Sequence, residues 1–387
     1  MKEDRGLYCM PHITWSGSHP TPALGISCWK HNVIVAMRGV LEMMVKVATE
    51  NKWLRRSISV PLLIGATLAG VALFPVMLCV FALVDGWRDR RFPMVRAGCI
   101  VVFYGVWEMF GILAALGVYL FSGVWAGLGR ARYRDWNYAL QRFWVQGFAW
   151  VGLRLFSMPT PIEEKGYAFS DRPVLLLVRH TSLADPILAT YLMRVRRAYR
   201  LRFVMKRELL WDPCLDIVGN RIPNYFVDRH RSNTLGEAQA LATLADGLGE
   251  REGVIVWPES TRFSPAKRVR ALNRLREQGD DTLLQLAADM KYVLPPRLGG
   301  ILALLAHNPG MDVVFCAHTG FEEAASFAAI FKGSMIRREI RVKFWGYSAE
   351  EIPRDRAQQK QWIYENWRQV DAFVATACQD AISGQTQ

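Results

Sequence analysis

The sequence contains no Cys-x-x-Cys pair, and its seven cysteines are an odd number scattered along 387 residues. Neither a disulfide framework nor a zinc site is therefore expected, and a reducing compartment fits. A nucleic-acid-binding motif, an internal repeat and a low-complexity tract are also lacking. Residues 2–5 are all charged and are followed by sequence rich in proline, glycine and serine, so no signal-peptide pattern opens the chain.

Two long stretches of the chain are almost free of charge. Residues 58–84 contain no charged side chain, and residues 97–129 contain only Glu108. Both exceed the roughly 20 residues that cross the hydrocarbon core of a bilayer. Because only residues 85–96 join them, the sequence predicts a helical hairpin in the membrane. A carboxylate at that depth is costly, so Glu108 either has a function or lies neutral in the interface of the hairpin.

Positive charge dominates the rest of the chain, which has a net charge of +13 and 14 tryptophans. Such a composition suits nucleic acid or an anionic membrane, and the apolar stretches favour the membrane. Eight lysines and arginines flank the hairpin and four lie in its loop, which predicts that both termini are cytoplasmic. A hairpin that enters the bilayer without crossing it is the alternative. Residues 130–159 mix arginine with aromatics, which suits the headgroup level or a linker helix buried against the soluble part.

From residue 167 onward, short β-rich runs alternate with helical stretches. Strands are predicted at residues 174–178, 201–205, 225–227, 254–257, 313–317 and 337–344. Helices are predicted at residues 187–196, 234–248, 281–290, 299–307 and 356–378. This alternation is typical of an α/β domain, in which ligands bind beyond the carboxyl ends of the strands.

His180 and Asp185 follow the first apolar run of this domain and lie five positions apart. Asp185 precedes Pro186, a favoured first residue of a helix, so a strand end, a short turn and a helix start are predicted. The turn can bring the imidazole and the carboxylate together. The carboxylate would then fix the tautomer of the ring, whose other nitrogen could take a proton from a hydroxyl. Such a pair also occurs by chance in many proteins, so its companions decide the interpretation.

Three further clusters follow at predicted strand ends. They contain Lys206, then Asp228 with Arg229, then Glu259, Ser260, Thr261 and Arg262. Cations at adjacent strand ends form a phosphate site, because arginine and lysine give charge-assisted hydrogen bonds to phosphate oxygens. A carboxylate beside them can accept hydrogen bonds from the hydroxyls of a sugar or glycerol unit. Each cluster alone is weak, and the specific signal is their order, closed by Leu-Pro-Pro-Arg at residues 294–297.

Together these motifs resemble the glycerolipid acyltransferase superfamily, best known for 1-acyl-glycerol-3-phosphate (lysophosphatidate) acyltransferase. The His-x4-Asp block matches His180 and Asp185, and the second block resembles residues 225–229. The third, Pro-Glu-Gly-Thr-Arg, is similar to residues 258–262, and the proline-centred fourth is similar to residues 294–297. The resemblance covers about residues 173–317. It implies a mixed sheet flanked by helices, as in glycerol-3-phosphate acyltransferase.

The resemblance also implies a mechanism. His180 would abstract the proton of a free hydroxyl on a lyso-lipid, and Asp185 would orient the imidazole. The hydroxyl would attack the thioester of acyl-CoA or acyl-carrier protein directly, with no cofactor and no metal. Arg229, Arg262 and Lys206 would hold the phosphate, and Glu259 would seat the glycerol unit. Ser182 lies between the pair, but the sequence has no nucleophile elbow, so a serine triad is not expected.

Two departures from the family pattern bear on the acceptor. Ser260 replaces the usual glycine, which would matter if that glycine lets the acceptor approach the backbone. The fourth block, with residues 294–297, looks more like the lysocardiolipin-acyltransferase branch. The first expectation is therefore 1-acyl-glycerol-3-phosphate, and the alternative is another lysophospholipid such as lysophosphatidylglycerol or lysocardiolipin. From other classes, a catalytically silent lipid-binding protein remains open, while a transporter would need more membrane spans.

The sequence thus predicts four segments. They are an N-terminal segment at 1–57, in which residues 32–47 fit an amphipathic helix; a membrane hairpin at 58–130; an interfacial aromatic and basic linker at 131–160; and an acyltransferase domain at 161–387. The expected setting is the inner (cytoplasmic) membrane or its equivalent, with the site on the cytoplasmic side. The expected partners are a lysophospholipid, an acyl donor and membrane lipids, but no nucleic acid.

Overall fold

A seven-stranded sheet forms the centre of the described part of the chain. The structure is a computed structural model that describes residues 50–165, 167, 169–182, 184–227, 234–322, 324 and 327–383. The amphipathic helix predicted at residues 32–47 lies outside these ranges. The strands are β1 (Ile162–Lys165), β2 (Val174–Val178), β3 (Arg200–Lys206), β4 (Tyr225–Val227), β5 (Glu252–Val256), β6 (Asp312–His318) and β7 (Val342–Tyr347). Their order across the sheet is β1-β7-β6-β2-β5-β3-β4.

The strand directions make the sheet mixed. β6, β2, β5, β3 and β4 run parallel to one another. β7 pairs antiparallel with β6, and β1 pairs parallel with β7 at the edge. The predicted class, an α/β domain with a mixed sheet flanked by helices, is confirmed.

Helices follow most of these strands. The helices are α1 (Lys52–Arg88), α2 (Pro93–Ser122), α3 (Arg130–Leu155), α4 (Asp185–Thr190), α5 (Pro213–Gly219), α6 (Thr234–Ala242), α7 (Pro265–Glu277), α8 (Asp281–Ala288), α9 (Leu298–His307), α10 (Phe327–Phe331) and α11 (Arg356–Ser383). A π-helical turn, Tyr191–Arg196, extends α4.

The core lies on both faces of the central strands. All five residues of β2 and all seven of β6 are buried, as expected for parallel strands covered on both sides. One face packs against a cluster that includes Trp367 of α11, and the other against a cluster that includes Met193. Because both faces of the sheet are covered, its carboxyl edge is the part that can hold a ligand.

α1 and α2 are long and apolar enough to cross a membrane, judged by length and composition. Large apolar side chains such as Leu62 and Leu83 of α1 are exposed. Small residues lie where the helices meet their neighbours, because they let backbones approach closely. A Cβ atom on Gly105 of α2 would lie 2.5 Å from the Thr67 hydroxyl oxygen in α1.

α2 runs past segments that leave the carboxyl edge of the sheet. Pro93 lies against Gly333, which follows β6, and Gly111 lies against Cys214, which follows β3. Further along, Arg221 donates a hydrogen bond of 2.6 Å to the Ala115 carbonyl of α2. The apolar helices therefore lie at the same edge of the sheet as the candidate site described next.

Several elements differ from the sequence prediction, and the short helices α5 and α10 are two that it did not include. β1 and α7 were not predicted, because Ile162 is the only apolar residue of β1 and Leu275 is the only buried residue of α7. The strand predicted at residues 337–344 was placed too early, since it begins at Val342. Its first residues bond to another segment instead: the Arg337 N–H donates to the Phe156 carbonyl and the Ile340 N–H to that of Pro159.

Candidate active site

Several predicted site residues lie beyond the carboxyl ends of neighbouring parallel strands. His180 follows β2, Glu259 follows β5, and Lys206 ends β3. β5 lies between β2 and β3 in the sheet, so these residues share one edge. Arg229, predicted to bind phosphate, and its neighbour Asp228 lie outside the described residues.

His180 and Asp185 are in direct contact. His180 Nδ1 lies 3.1 Å from Asp185 Oδ2. The imidazole is partly accessible, with 19% of the side chain exposed, while the carboxylate is fully buried. Because a carboxylate only accepts, Nδ1 carries a hydrogen, and the neutral form of the ring then has its lone pair on Nε2. The geometry leaves Nε2 available as a base.

The turn between the two residues holds the Asp185 carboxylate in place. Oδ2 accepts from the backbone N–H groups of Thr181 and Ser182, and Oδ1 accepts from their hydroxyls. Pro186 follows at the start of α4, where its missing N–H costs nothing. The Ser182 hydroxyl, fully buried, thus serves to fix the carboxylate.

These contacts keep Asp185 ionised. Burial raises the pKa of its carboxyl, but His318 and the hydrogen bonds from His180 and Ser182 outweigh burial and lower the pKa to about 2. The carboxylate can therefore stabilise an imidazolium that forms on His180 during a reaction.

Glu259 is placed differently from the role we expected for it. Its side chain is buried, and its two oxygens accept backbone N–H groups: Oε1 from His180 and Oε2 from Leu294, both at 3.0 Å. The Glu259 carboxylate therefore joins the first motif to the fourth and is not exposed at the surface. Burial raises its pKa to about 7, although the Arg179 guanidinium and both N–H donors oppose the rise.

The third motif forms a tight turn. Ser260 has a φ of 56°, in the left-handed region, and its N–H donates to the Trp257 carbonyl at 2.9 Å. Beyond it, Lys267 of α7 donates from Nζ to Thr261 Oγ1 at 2.9 Å and to the Arg262 carbonyl at 3.0 Å. Lys267, which was not predicted from the sequence, adds a cation beside Arg262.

Aromatic rings lie beside His180. The Trp257 ring lies 6.2 Å from the imidazole between centroids and stacks on Phe203 of β3. Lys206, three residues further along β3, is exposed at the strand end. The edge thus combines an imidazole, apolar ring surface and cations.

Three residues behind the pair were also not predicted. His318 ends β6, Arg179 directly follows β2, and Glu322 follows β6; they contact one another through side chains and carbonyls. No periodicity or spacing in the sequence distinguishes them, because their partners come from distant segments.

Glu108 is fully buried in α2. Its Oε1 accepts from the Trp144 indole of α3 at 2.9 Å, and its carbonyl lies 3.2 Å from Cys214 Sγ. The carboxyl group therefore faces neighbouring helices, and not the exposed apolar side of the hairpin. Among the described residues, no three His, Cys, Asp or Glu side chains are grouped to hold a metal ion.

Residues 160–299 match the family model described as Acyltransferase. The match contains His180, Asp185 and the third motif. The crystal structure of the 1-acyl-sn-glycerophosphate (LPA) acyltransferase PlsC from Thermotoga maritima is similar to this chain at 16% sequence identity, with a TM-score of 0.41, over 70% of this chain and 98% of that chain. No curated protein matches the chain.

Proposed function

Because residues 160–299 match the Acyltransferase family model and contain the His180–Asp185 pair, we propose that the protein acylates a lysophospholipid at a membrane. The acceptor is 1-acyl-glycerol-3-phosphate, the donor is a fatty acyl thioester of CoA or acyl-carrier protein, and the product is phosphatidate. His180 is the general base.

The contact between His180 and Asp185 carries this proposal. Nδ1 donates to a buried carboxylate at 3.1 Å, which leaves Nε2 as the proton acceptor on a partly exposed ring. A base positioned in this way contributes roughly 10²–10⁴-fold to a proton-transfer step. The buried Ser182 hydroxyl donates to Asp185, which fits direct transfer better than a serine acyl-enzyme.

In the reaction, the free hydroxyl of the acceptor attacks the thioester carbonyl carbon and gives its proton to His180 Nε2. A new C–O ester bond forms, and the C–S bond breaks when the tetrahedral intermediate collapses. The imidazolium then returns the proton to the departing thiolate. Asp185, ionised throughout, stabilises the charged ring.

Cations at the same edge would hold the acceptor phosphate. Lys206 and Arg262 are proposed ligands at this edge, and Arg229 is proposed from the sequence motif alone. Lys267 supports the Arg262 turn through its bond to the Arg262 carbonyl. Positioning the hydroxyl beside the base removes much of the entropic cost of a bimolecular step. The Trp257 ring beside His180 offers an apolar surface to the lipid.

Ser260 and the Leu-Pro-Pro-Arg sequence at residues 294–297 favour a second acceptor class. That class is another lysophospholipid, such as lysophosphatidylglycerol or lysocardiolipin. The chemistry at His180 would be the same. The exposed apolar residues of α1 and α2 would keep the site at the membrane, with the catalytic domain on the cytoplasmic side.

The test is acyl transfer by purified, detergent-solubilised protein. Labelled oleoyl and palmitoyl thioesters of CoA and of acyl-carrier protein are offered against a panel of lysophospholipids. His180→Ala is expected to lower kcat by at least about 100-fold, because it removes the base. His307→Ala is the matched control: it breaks a His–Asp pair with Asp246 near the amino ends of β5 and β6, at the opposite edge of the sheet.

Phosphatidate formation that depends on His180 but not on His307 would support the reaction and the first acceptor. A stronger preference for another lysolipid would keep the mechanism and change the acceptor. Absence of His180-dependent transfer with every donor would favour a catalytically silent lipid-binding protein.

A further inference from the structure

Arg179 and His318 join the ends of the two strands beside the candidate base. Arg179 directly precedes His180, and His318 is the last residue of β6. Both side chains are buried. Val178 of β2 pairs with Cys316 of β6, and both Arg179 and His318 lie just beyond this pair.

The two residues hold each other's backbone. Arg179 Nη1 donates to the His318 carbonyl at 2.6 Å, and His318 Nε2 lies 2.9 Å from the Arg179 carbonyl. A carbonyl only accepts, so Nε2 carries a hydrogen. Glu322 completes the cluster, because its Oε1 lies 2.6 Å from Arg179 Nη1 and its Oε2 accepts the Gly320 N–H at 2.7 Å.

One peptide group receives contacts from both neighbouring strands. The carbonyl of the 179–180 peptide accepts from His318 of β6, and its N–H donates to Glu259 beyond β5. A peptide group is planar, so fixing its oxygen and its nitrogen fixes its orientation. That orientation fixes the position of the His180 Cα atom, from which the side chain starts.

His318 also faces the catalytic carboxylate. Its Nε2 lies 3.9 Å from Asp185 Oδ1. Burial lowers the pKa of His318, although the nearby Asp185 carboxylate opposes the shift. The His318 ring is closed off from solvent, since 1% of the residue is exposed.

We propose that Arg179, His318 and Glu322 form a brace that orients the 179–180 peptide and so aims His180 Nε2 at the acceptor hydroxyl. His318 is a positioning residue in this arrangement. The catalytic part of the inference rests on the proposed acyl transfer, whereas the orientation of the peptide does not.

The test compares three substitutions of His318. His318→Phe keeps a ring but removes the donor; His318→Asn keeps an amide donor on a shorter side chain; His318→Gln places its amide nitrogen near the position of Nε2. Because a misplacement of about 1 Å can cost about 100-fold in rate, Phe and Asn are expected to lower kcat by roughly 10- to 100-fold. Both KM values should change less than about threefold, and Gln should recover most of the rate.

A second measurement does not depend on activity. Amide hydrogen exchange of the His180 N–H should accelerate in the Phe and Asn variants and stay near wild type in Gln, because the brace restrains local opening of that peptide. His307→Phe, at the opposite edge, should change neither kcat nor exchange at His180. If the Phe variant does not fold, the comparison of Asn with Gln decides.

The proposed brace would be contradicted if the folded Phe and Asn variants kept the wild-type kcat. It would also be contradicted if the Asn and Gln variants lost kcat equally. Unchanged exchange at His180 would also overturn it. If the wild type transfers no acyl group but exchange follows the expected order, the proposed function fails and the brace stands.

Discussion

Ser260 lies in the left-handed backbone region, with a φ of 56°. Glycine adopts this conformation freely, whereas a side chain makes it unfavourable by about 1–2 kcal/mol. The glycine of the family motif at this place is therefore explained by the shape of the turn after β5. The turn therefore explains the glycine without a close approach of the acceptor to the backbone, which the sequence analysis had considered.

Substitutions at Ser260 should follow backbone preference. Ser260→Val places a β-branched residue at a positive φ and is expected to lower the free energy of unfolding by roughly 1–2 kcal/mol. Ser260→Gly should stay within about 1 kcal/mol of the wild type, since relief of strain offsets the loss of chain entropy on folding. Thermal unfolding of the detergent-solubilised variants measures both. Equal destabilisation by Gly and Val would mean that the serine side chain, and not the backbone, stabilises the turn.

At this scale the sequence predicted the contact that matters most for the proposed chemistry. His180 and Asp185 are local, and the proline that starts α4 indicates the turn between them. Glu259 was assigned to the acceptor, and the sequence could not show its two backbone partners, which lie 79 and 35 residues away. Such long-range partners leave no pattern in the sequence, and the same holds for His318.

At the scale of elements, α3 packs closely on α2. A Cβ atom on Gly147 of α3 would lie 2.2 Å from the Trp107 ring of α2. That ring cannot move aside easily, because it stacks on Phe143 and donates to the Trp144 carbonyl at 3.0 Å. Glycine at 147 is therefore needed for the two helices to meet.

Gly147→Ala should lower the free energy of unfolding by about 1–3 kcal/mol, the usual cost of overpacking. Gly152→Ala is a matched control in the same helix, because its new Cβ atom would meet no atom within 4 Å. The control should raise stability by roughly 0.5–1 kcal/mol through helix propensity. Thermal unfolding of both variants gives the comparison, and loss of stability in Gly152→Ala or none in Gly147→Ala would contradict the packing argument.

Prediction of elements succeeded where burial imposes a pattern. The runs that became β2 and β6 are continuously apolar, because both faces of these strands are covered. It failed for β1, an edge strand that needs only its pairing with β7, and for α7, which buries only Leu275. Elements that contribute little to the core leave little hydrophobic periodicity to detect.

At the scale of the whole molecule, the site and the apolar surface lie together. α2 contacts the segments after β3 and β6, which leave the sheet at the edge where His180 lies. A lipid acceptor held at this surface would need to travel little to meet the base. The candidate site and the two apolar helices therefore lie at one edge of the sheet.

The stability of the whole fold should depend on pH through Glu259. Its carboxyl has a pKa of about 7 in the folded state against an ordinary value of 4.5, so between these values the folded state binds more protons. The contribution of the Glu259 carboxyl to the free energy of unfolding is complete below pH 4.5 and is lost as pH rises through 7. The Asp185 carboxyl has a pKa of about 2 in the folded state against an ordinary value of 3.8. Its contribution to the free energy of unfolding is complete above pH 3.8 and is lost as pH falls through 2, so it does not change between the two pKa values of Glu259. His318, with a lowered pKa, loses its contribution as pH falls below 6.5.

Comparison with Glu259→Gln isolates the Glu259 contribution, because Asp185 and His318 are present in both proteins. Unfolding temperatures of wild type and variant are measured from about pH 5 to about pH 8, a range that brackets the raised pKa. We expect the wild type to lose stability relative to the variant as pH rises, since only the wild type must bury a new charge. Glu277→Gln, at an exposed position in α7, is the control for removing a carboxylate from the surface. If the curves of wild type and Glu259→Gln ran parallel across this range, the two backbone N–H groups would already stabilise an ionised Glu259 at the acid end, and the carboxylate would tie the first and fourth motifs together at every pH tested.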